Sequence, residues 1–287
     1  KLWMAAIKPP MYSVAIMPIA LGTAVAYAET NQINWGIFLT FILSAILILA
    51  WENISNDVFD SETGIDRNKH HSLVNLTHNK PLVFWIGNVC LLTGIAGIVS
   101  IAWSQQDFTT LGLILLCCGL GYAYQGPPFR LGYQGLGEIL CFFSFGPLAV
   151  SAAYYSQTQS WSVTALLASI ILGISTSLIL FCSHFHQVED DIAAGKRSPI
   201  VRLGTRRGAQ LLPWLCGIIF GLTLLMVLAH VFPLWTLITL ASLPPAIKLC
   251  RHVGANYDKP DRVSNCKFIA VSLHFWSGVL LCLGFIL

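Results

Sequence analysis

Charge is scarce in this chain. Only 10% of its 287 residues are Asp, Glu, Lys or Arg, against about 25% in a soluble domain. Hydrophobic residues make up 55% and the mean hydropathy is +0.70. That deficit excludes a water-soluble globule and points to an integral membrane protein in contact with a lipid bilayer. No basic patch with interleaved aromatics is present and the net charge is only +3, which argues against nucleic acid as a partner. The nine cysteines include no Cys-x-x-Cys, which weakens zinc and thiol-redox readings. Cys90, Cys117, Cys118, Cys141, Cys182, Cys216 and Cys282 fall inside apolar runs and read as small hydrophobes packed between helices. The opening Lys-Leu-Trp-Met shows no cleavable signal pattern. With no low-complexity segment and no separate soluble domain, residues 1–287 read as one intramembrane domain.

What the chain does have is long apolar runs. Nine are visible, at 11–28, 35–51, 82–103, 109–126, 136–155, 162–184, 211–231, 234–250 and 268–287. Each is long enough for a hydrocarbon core of roughly 30 Å and too continuous for barrel strands. Only helices and closed barrels satisfy the backbone in lipid. The expected fold is therefore all-α, a polytopic protein with nine transmembrane helices, kinked in the seventh and eighth by Pro213, Pro244 and Pro245. Thirteen of the sixteen Lys and Arg follow the second, fourth, sixth and eighth runs, Lys248 lies at the end of the eighth, and Lys1 and Lys8 precede the first. All sixteen thus share one face, which the positive-inside rule makes cytoplasmic or stromal in an inner or thylakoid-type membrane.

Carboxylates are rarer still, thirteen in all, and their placement is the main functional signal. Glu52, Asp57, Asp60, Glu62 and Asp66 follow the second run, Glu189, Asp190 and Asp191 follow the sixth, and Glu138 lies between. Acids beside hydrocarbon are costly and usually functional. Asn56, Asp57 and Asp60 share a helix face at spacings of three and four, and Glu52 and Asn53 extend the polar stripe. Gln187, Asp190 and Asp191 repeat the pattern. Oxygen-only ligands favour Mg²⁺ over zinc, and two such half-sites suit one diphosphate bridged by metal. Metal and cationic side chains stabilise the charge that develops as a C–O bond breaks. An allylic cation left behind needs a dry apolar chamber, which also suits an isoprenoid tail, and an electron-rich aromatic ring held nearby would attack it. Lys69, Arg130, Lys196 and Arg197 lie on the correct face to reach phosphate oxygens; Tyr124 and Lys8 are further candidates.

Plainer readings account for other polar residues. His70, His71, His184 and His186 read as solvent-facing or hydrogen-bonded interfacial histidines, since no further soft-ligand spacing supports a metal. Arg202, Arg206, Arg207 and the basic residues from Lys248 to Lys267 read as topology or headgroup contacts. Trp35, Trp51, Trp103, Trp161 and Trp235 read as interfacial anchors.

The motif Asn56-Asp57-x-x-Asp60 followed by Asp66 resembles the first aspartate-rich motif of the UbiA superfamily of intramembrane aromatic prenyltransferases. Lys8-Pro9 is similar to the Arg-Pro entry of that family's first helix. Tyr124-x5-Arg130 resembles its tyrosine and basic residue near the diphosphate, where Lys is commoner. The step from Asp60 to Asp66, and Tyr133-Gln-Gly-Leu-Gly-Glu138, resemble most the MenA branch, the 1,4-dihydroxy-2-naphthoate prenyltransferases. Residues 66–77 look like the phytyl-transferring members of oxygenic phototrophs. One departure stands out. Aligned on Gly195-Lys196, the second motif has Gln187 for its first Asp, His186 for its Arg and Asp191 for its second Asp.

The resemblance implies a UbiA-like bundle around a central apolar cavity. It implies transfer of a phytyl or other polyprenyl group from its diphosphate to 1,4-dihydroxy-2-naphthoate, with loss of CO₂, in phylloquinone or menaquinone biosynthesis. The metal ligands implied are Asn56, Asp57, Asp60, Asp66, Gln187, Asp190 and Asp191, with Asp57, Asp60 and Asp191 central to catalysis. Lys8, Asn56, Lys69, Tyr124, Arg130, Gln187 and Lys196 would bind substrate. Homogentisate, 4-hydroxybenzoate or a chlorophyllide are alternative acceptors. A cation-coupled secondary transporter is the rival from another class, but it expects acids near the bilayer midplane rather than at segment ends.

Overall fold

A computed structural model of the chain describes residues 9–65 and 72–287. Among these, all regular structure is helical. After a single turn at Pro9–Tyr12 come α1 (Ser13–Thr30), α2 (Trp35–Thr63), α3 (Lys80–Gln105), α4 (Thr109–Gln125), α5 (Gly137–Thr158) and α6 (Val163–Ser183). They are followed by α7 (Thr205–Leu228), α8 (Leu243–Asn256) and α9 (Cys266–Ile286). Shorter helical pieces lie between them on the basic-loop side, at Leu73–Thr77, Val188–Ala193, Pro199–Leu203 and Pro260–Val263.

Every expected apolar run falls on helix, but the runs are not alike. Seven helices among the described residues are long and apolar enough to cross a membrane, and α4 is a shorter apolar helix of 17 residues. The run at 234–250 is not one continuous α-helix. It starts as a 3₁₀ segment, Leu234–Ser242, and becomes α8 only where Pro244 and Pro245 occupy the first turn, the position at which a missing N–H costs nothing. Pro213 lies inside α7. In α5 the helix opens into a π turn over Ser144–Leu148 around Pro147, a common response to a residue that cannot donate to the ladder.

Start signals are local. Asn34, Asn79 and Ser162 each cap a helix by accepting a bond from the backbone N–H three residues on, at Ile37, Leu82 and Ala165. Helix α2 ends at Gly64, whose φ of 75° closes the last turn onto the Asp60 carbonyl. At 29 residues this helix runs about 44 Å, well beyond a hydrocarbon core of roughly 30 Å. Its polar end, from Glu52 onward, is the overshoot.

Helices α1, α6 and α9 bury most of their residues, whereas only 22% of the apolar stretch of α2 and of α3 is buried. Leu39, Leu43, Trp85 and Leu92 are large apolar side chains facing outward, as lipid contact requires. Small residues set the closest approaches. A Cβ on Gly22 of α1 would meet the Val150 carbonyl at 2.4 Å, and one on Gly146 would meet Ser169 on α6 at 2.8 Å, the small-residue packing that membrane helices use. Cys182, Cys216, Cys266 and Cys282 are buried and all nine cysteines are free thiols.

Candidate active site

Between the helices lies a cavity of about 900 Å³. Leu49, Leu120, Leu140, Phe145 and Ile179 give it apolar walls. Asn56, Tyr124, His186 and Lys267, all from helix ends on the basic-loop side, line it as well.

The first acid cluster stands at the end of α2. Asp57 is 1% exposed, and its Oδ2 accepts a 2.9 Å bond from the Leu73 N–H of the short helix that follows. Asp60 Oδ1 accepts from Gln125 Nε2 at 2.9 Å and from the Tyr133 hydroxyl at 3.1 Å. Tyr133 also meets Thr63 Oγ1 at 2.7 Å. Burial, then the Asp60 charge, push the Tyr133 phenol up, so it stays protonated and donates to Asp60.

The second cluster follows α6. Asp191 is 1% exposed, with Oδ2 3.1 Å from His184 Nδ1 and Oδ1 3.9 Å from Lys196 Nζ. His184 Nε2 in turn lies 3.4 Å from Glu138 Oε1. Burial alone would raise the Asp191 carboxyl, but the His184 hydrogen bond and the Lys196 charge outweigh it and hold the group below the usual carboxylate range.

Lys196 joins the two clusters. It is only 6% exposed, and its ammonium sits 6.0 Å from the centroid of the Tyr124 ring and 5.8 Å from that of Tyr133, the partner of Asp60. Backbone contacts hold this arrangement. The Arg197 N–H donates to the Tyr133 carbonyl at 2.8 Å, and Arg202 donates to the carbonyls of Gln134 and Arg197. Gly135 has φ +80°, and a Cβ there would sit 2.4 Å from the Arg197 carbonyl oxygen; only glycine fits. Gly195, at φ +74°, turns the chain so that the Lys196 N–H returns to the Asp191 carbonyl at 2.7 Å.

The structure thus brings together Asp60, Tyr124, Asp191 and Lys196, with Asn56 lining the same cavity as Tyr124, while Asp57 is turned to the Leu73 N–H. Arg130 is elsewhere engaged: its Nη2 bonds Glu62 at 3.1 Å, beside Lys80 at 2.8 Å from the same carboxyl. Gln187 is half-buried and its carbonyl accepts the Asp191 N–H at 2.8 Å; Asp190 is exposed. Lys8, Asp66, Lys69, His70 and His71 lie outside the described residues. His184 is a buried, hydrogen-bonded residue rather than a solvent-facing one. Gln125, Tyr133, Glu138 and His184 complete the site and were missing from the expected set. The sequence signals for them are the Tyr133-to-Glu138 segment that resembles the MenA branch and Glu138 as a carboxylate standing alone at the start of an apolar run.

Among the described residues no three His, Cys, Asp or Glu side chains form a ready-made metal cage. Mg²⁺ does not need one, since it binds through one or two carboxylates plus waters and substrate phosphates. The donor set is all oxygen, and Asp191 Oδ1 is buried without a hydrogen-bond partner among the described residues. These residues fit that ion.

The model of the UbiA prenyltransferase family matches residues 15–279. A 2-carboxy-1,4-naphthoquinone phytyltransferase of Synechocystis sp. is 59% identical over 99% of this chain and 93% of its own length. The chloroplastic 2-carboxy-1,4-naphthoquinone phytyltransferase of Arabidopsis thaliana is 40% identical over 100% of this chain and 77% of its own. The structure of a UbiA homologue from Archaeoglobus fulgidus bound to GPP and Mg²⁺ has the same fold, with a TM-score of 0.61 at 15% identity over 98% of this chain and 99% of that one. The chain belongs to the UbiA prenyltransferase family.

Proposed function

We propose that this prenyltransferase moves a phytyl or other polyprenyl group from its diphosphate to 1,4-dihydroxy-2-naphthoate, with loss of CO₂, in phylloquinone or menaquinone formation. The observation that carries the reading is the apolar cavity of about 900 Å³ next to two acid clusters joined by Lys196. Grease and anion are served at one place, as a lipid diphosphate requires. The relatives are named for the acceptor's quinone form. An allylic cation attacks electron-rich carbon, so the ring reacts as the hydroquinone.

Asn56, Asp57, Asp60 and Asp191 would hold Mg²⁺, joined by Asp66, Asp190 and Gln187. When bound, the ion neutralises charge on the leaving diphosphate. The chain's own residues do the rest. Lys196, with Lys8 and Lys69, orients phosphate oxygens, and Arg130 joins them once it leaves its ion pair with Glu62. Tyr133 and Gln125 hold the Asp60 carboxylate through the bonds described above. The Tyr124 ring faces the cavity, where a π surface favours positive charge. The apolar walls exclude water that would quench the cation. The new C–C bond forms at the ring carbon bearing the carboxylate. The bond to that carboxylate then breaks, CO₂ leaves, and its electron pair restores aromaticity, so no general base is needed. Nine membrane crossings, with the site opening to the cytoplasmic or stromal side, complete the reading.

The test is phytyl transfer by membranes carrying the chain, with phytyl diphosphate and dihydroxynaphthoate, with and without Mg²⁺. Product should form only with the ion, and Asp57→Ala or Asp191→Ala should abolish it while the protein remains folded. Full activity in either variant would refute the metal roles, and transfer to homogentisate or 4-hydroxybenzoate alone would refute the acceptor.

A further inference from the structure

Glu52 is the feature the diphosphate chemistry does not use. It lies on α2 four residues before Asn56, roughly 6 Å further along the helix, away from the acid cluster, and on the same face. Its carboxyl lines the cavity opposite Gly121 of α4, where an added Cβ would stand 3.4 Å from Glu52 Oε1. Among the described residues no hydrogen-bond donor or cation is recorded on that carboxyl. Asn53, beside it, also lines the cavity, and its amide nitrogen is buried without a partner. A carboxyl and an amide in an apolar chamber, both unsatisfied by protein, are expensive unless a ligand completes them.

The ligand chemistry follows by elimination between the two substrates. A prenyl chain has no polar group to offer. A diphosphate is repelled by a carboxylate unless a metal ion lies between them, and Glu52 stands about one helical turn away from the acid cluster that would hold the ion. An aromatic diol brings hydroxyl donors, and a carboxyl keeps an acceptor oxygen in either protonation state. In a 1,4-dihydroxy-2-naphthoate the 1-hydroxyl is already bonded internally to its neighbouring carboxylate. The 4-hydroxyl is the group left in need of a partner, and placing it on Glu52 keeps the acceptor's own negative charge away.

Resting on the acceptor class given above, we propose that Glu52 is the acceptor-binding residue, taking a hydrogen bond from the ring's 4-hydroxyl while the Asn53 amide donates to the same substrate. The pair fixes the ring's position in the cavity and selects hydroxylated over merely greasy aromatics, because a site built to bond a hydroxyl strongly rejects an analogue that lacks it.

The experiment compares wild type, Glu52→Gln and Glu52→Leu of the full chain in nanodiscs. KM is measured for each substrate, together with equilibrium binding of the naphthoate by tryptophan fluorescence. A lost hydrogen bond to a carboxylate corresponds to a rise of roughly tenfold to hundredfold in naphthoate KM and Kd for Glu52→Leu, with phytyl diphosphate KM unchanged. Glu52→Gln, which keeps an oxygen acceptor of the same shape, should restore most of the loss. The 4-methoxy analogue should bind wild type as weakly as the parent binds Glu52→Leu, and should be indifferent to the substitution. Equal binding of hydroxy and methoxy compounds by wild type overturns the proposal even if Glu52→Leu fails to fold. So does a rise confined to phytyl diphosphate KM. If wild type prenylates another phenol, the acceptor assignment fails separately, and the same hydroxy–methoxy comparison on that phenol decides Glu52. If no phenol is prenylated, the naphthoate binding comparison decides it without turnover.

Discussion

The Lys196–Asp191 pair offers the sharpest quantitative check on the site's electrostatics. At 3.9 Å and an effective dielectric of about 20, the attraction is ~4 kcal/mol. Both side chains are almost fully enclosed, so solvent screening removes little of it. The cost of holding two ions out of water offsets a large part, leaving a coupling of about 1–3 kcal/mol. Four proteins measure it: wild type, Lys196→Met, Asp191→Asn and the double variant. All three variants lose transfer activity on the proposed reading, so the readout is unfolding of purified protein in detergent, followed by heat or denaturant. Lys196→Met leaves a buried carboxylate facing an uncharged chain and should be the least stable of the four. The double variant removes both charges and should recover stability relative to Lys196→Met. Additive losses, within about 0.5 kcal/mol, would refute the claim that these two groups are a working ion pair.

Three further outcomes follow from the same region. Tyr133→Phe removes one of the donors to Asp60 and should lower kcat about tenfold, near the lower end for a bond to a charged group, with folding intact; steady-state phytyl transfer checks it. Gly135→Ala should cost about 2 kcal/mol or more, since it adds left-handed strain to a clash with the Arg197 carbonyl, whereas Gly195→Ala, with open space around it, should cost only ~1 kcal/mol; thermal unfolding separates the two. The depressed Asp191 carboxyl adds stability that is fully present above an unfolded value of about 3.9 and is lost as pH falls through the lower folded value. Asp191→Asn should lack that acid limb in a melting-temperature profile from neutral pH to about pH 3.

The helices were legible because lipid imposes one rule on every run, and each of the nine apolar runs lies on helix. The irregular stretch at Leu234–Ser242 was not, because hydropathy does not distinguish 3₁₀ from α winding. The acid clusters were visible through their rarity and spacing. Their partners were hidden for a different reason. Tyr133 reaches Asp60 across 73 positions, and Glu138 reaches His184 through the packing of α5 on α6; no local pattern marks either pair. Arg130 was placed on phosphate by its position in a motif, yet Glu62, two residues beyond Asp60, claims its guanidinium in this structure. Glu52 was seen only as part of a polar stripe. Its separate location, inside the cavity rather than at its acid-lined end, depends on where α4 presents a glycine.

The overshoot of α2 past the bilayer's oily interior has a consequence for traffic. On the proposed reading, the pyrophosphate by-product would leave where bulk solvent begins, while the new quinol would stay in the hydrocarbon. One long helix would thereby separate two products of opposite solubility at the moment they are made, and neither would have to pass through the phase that rejects it.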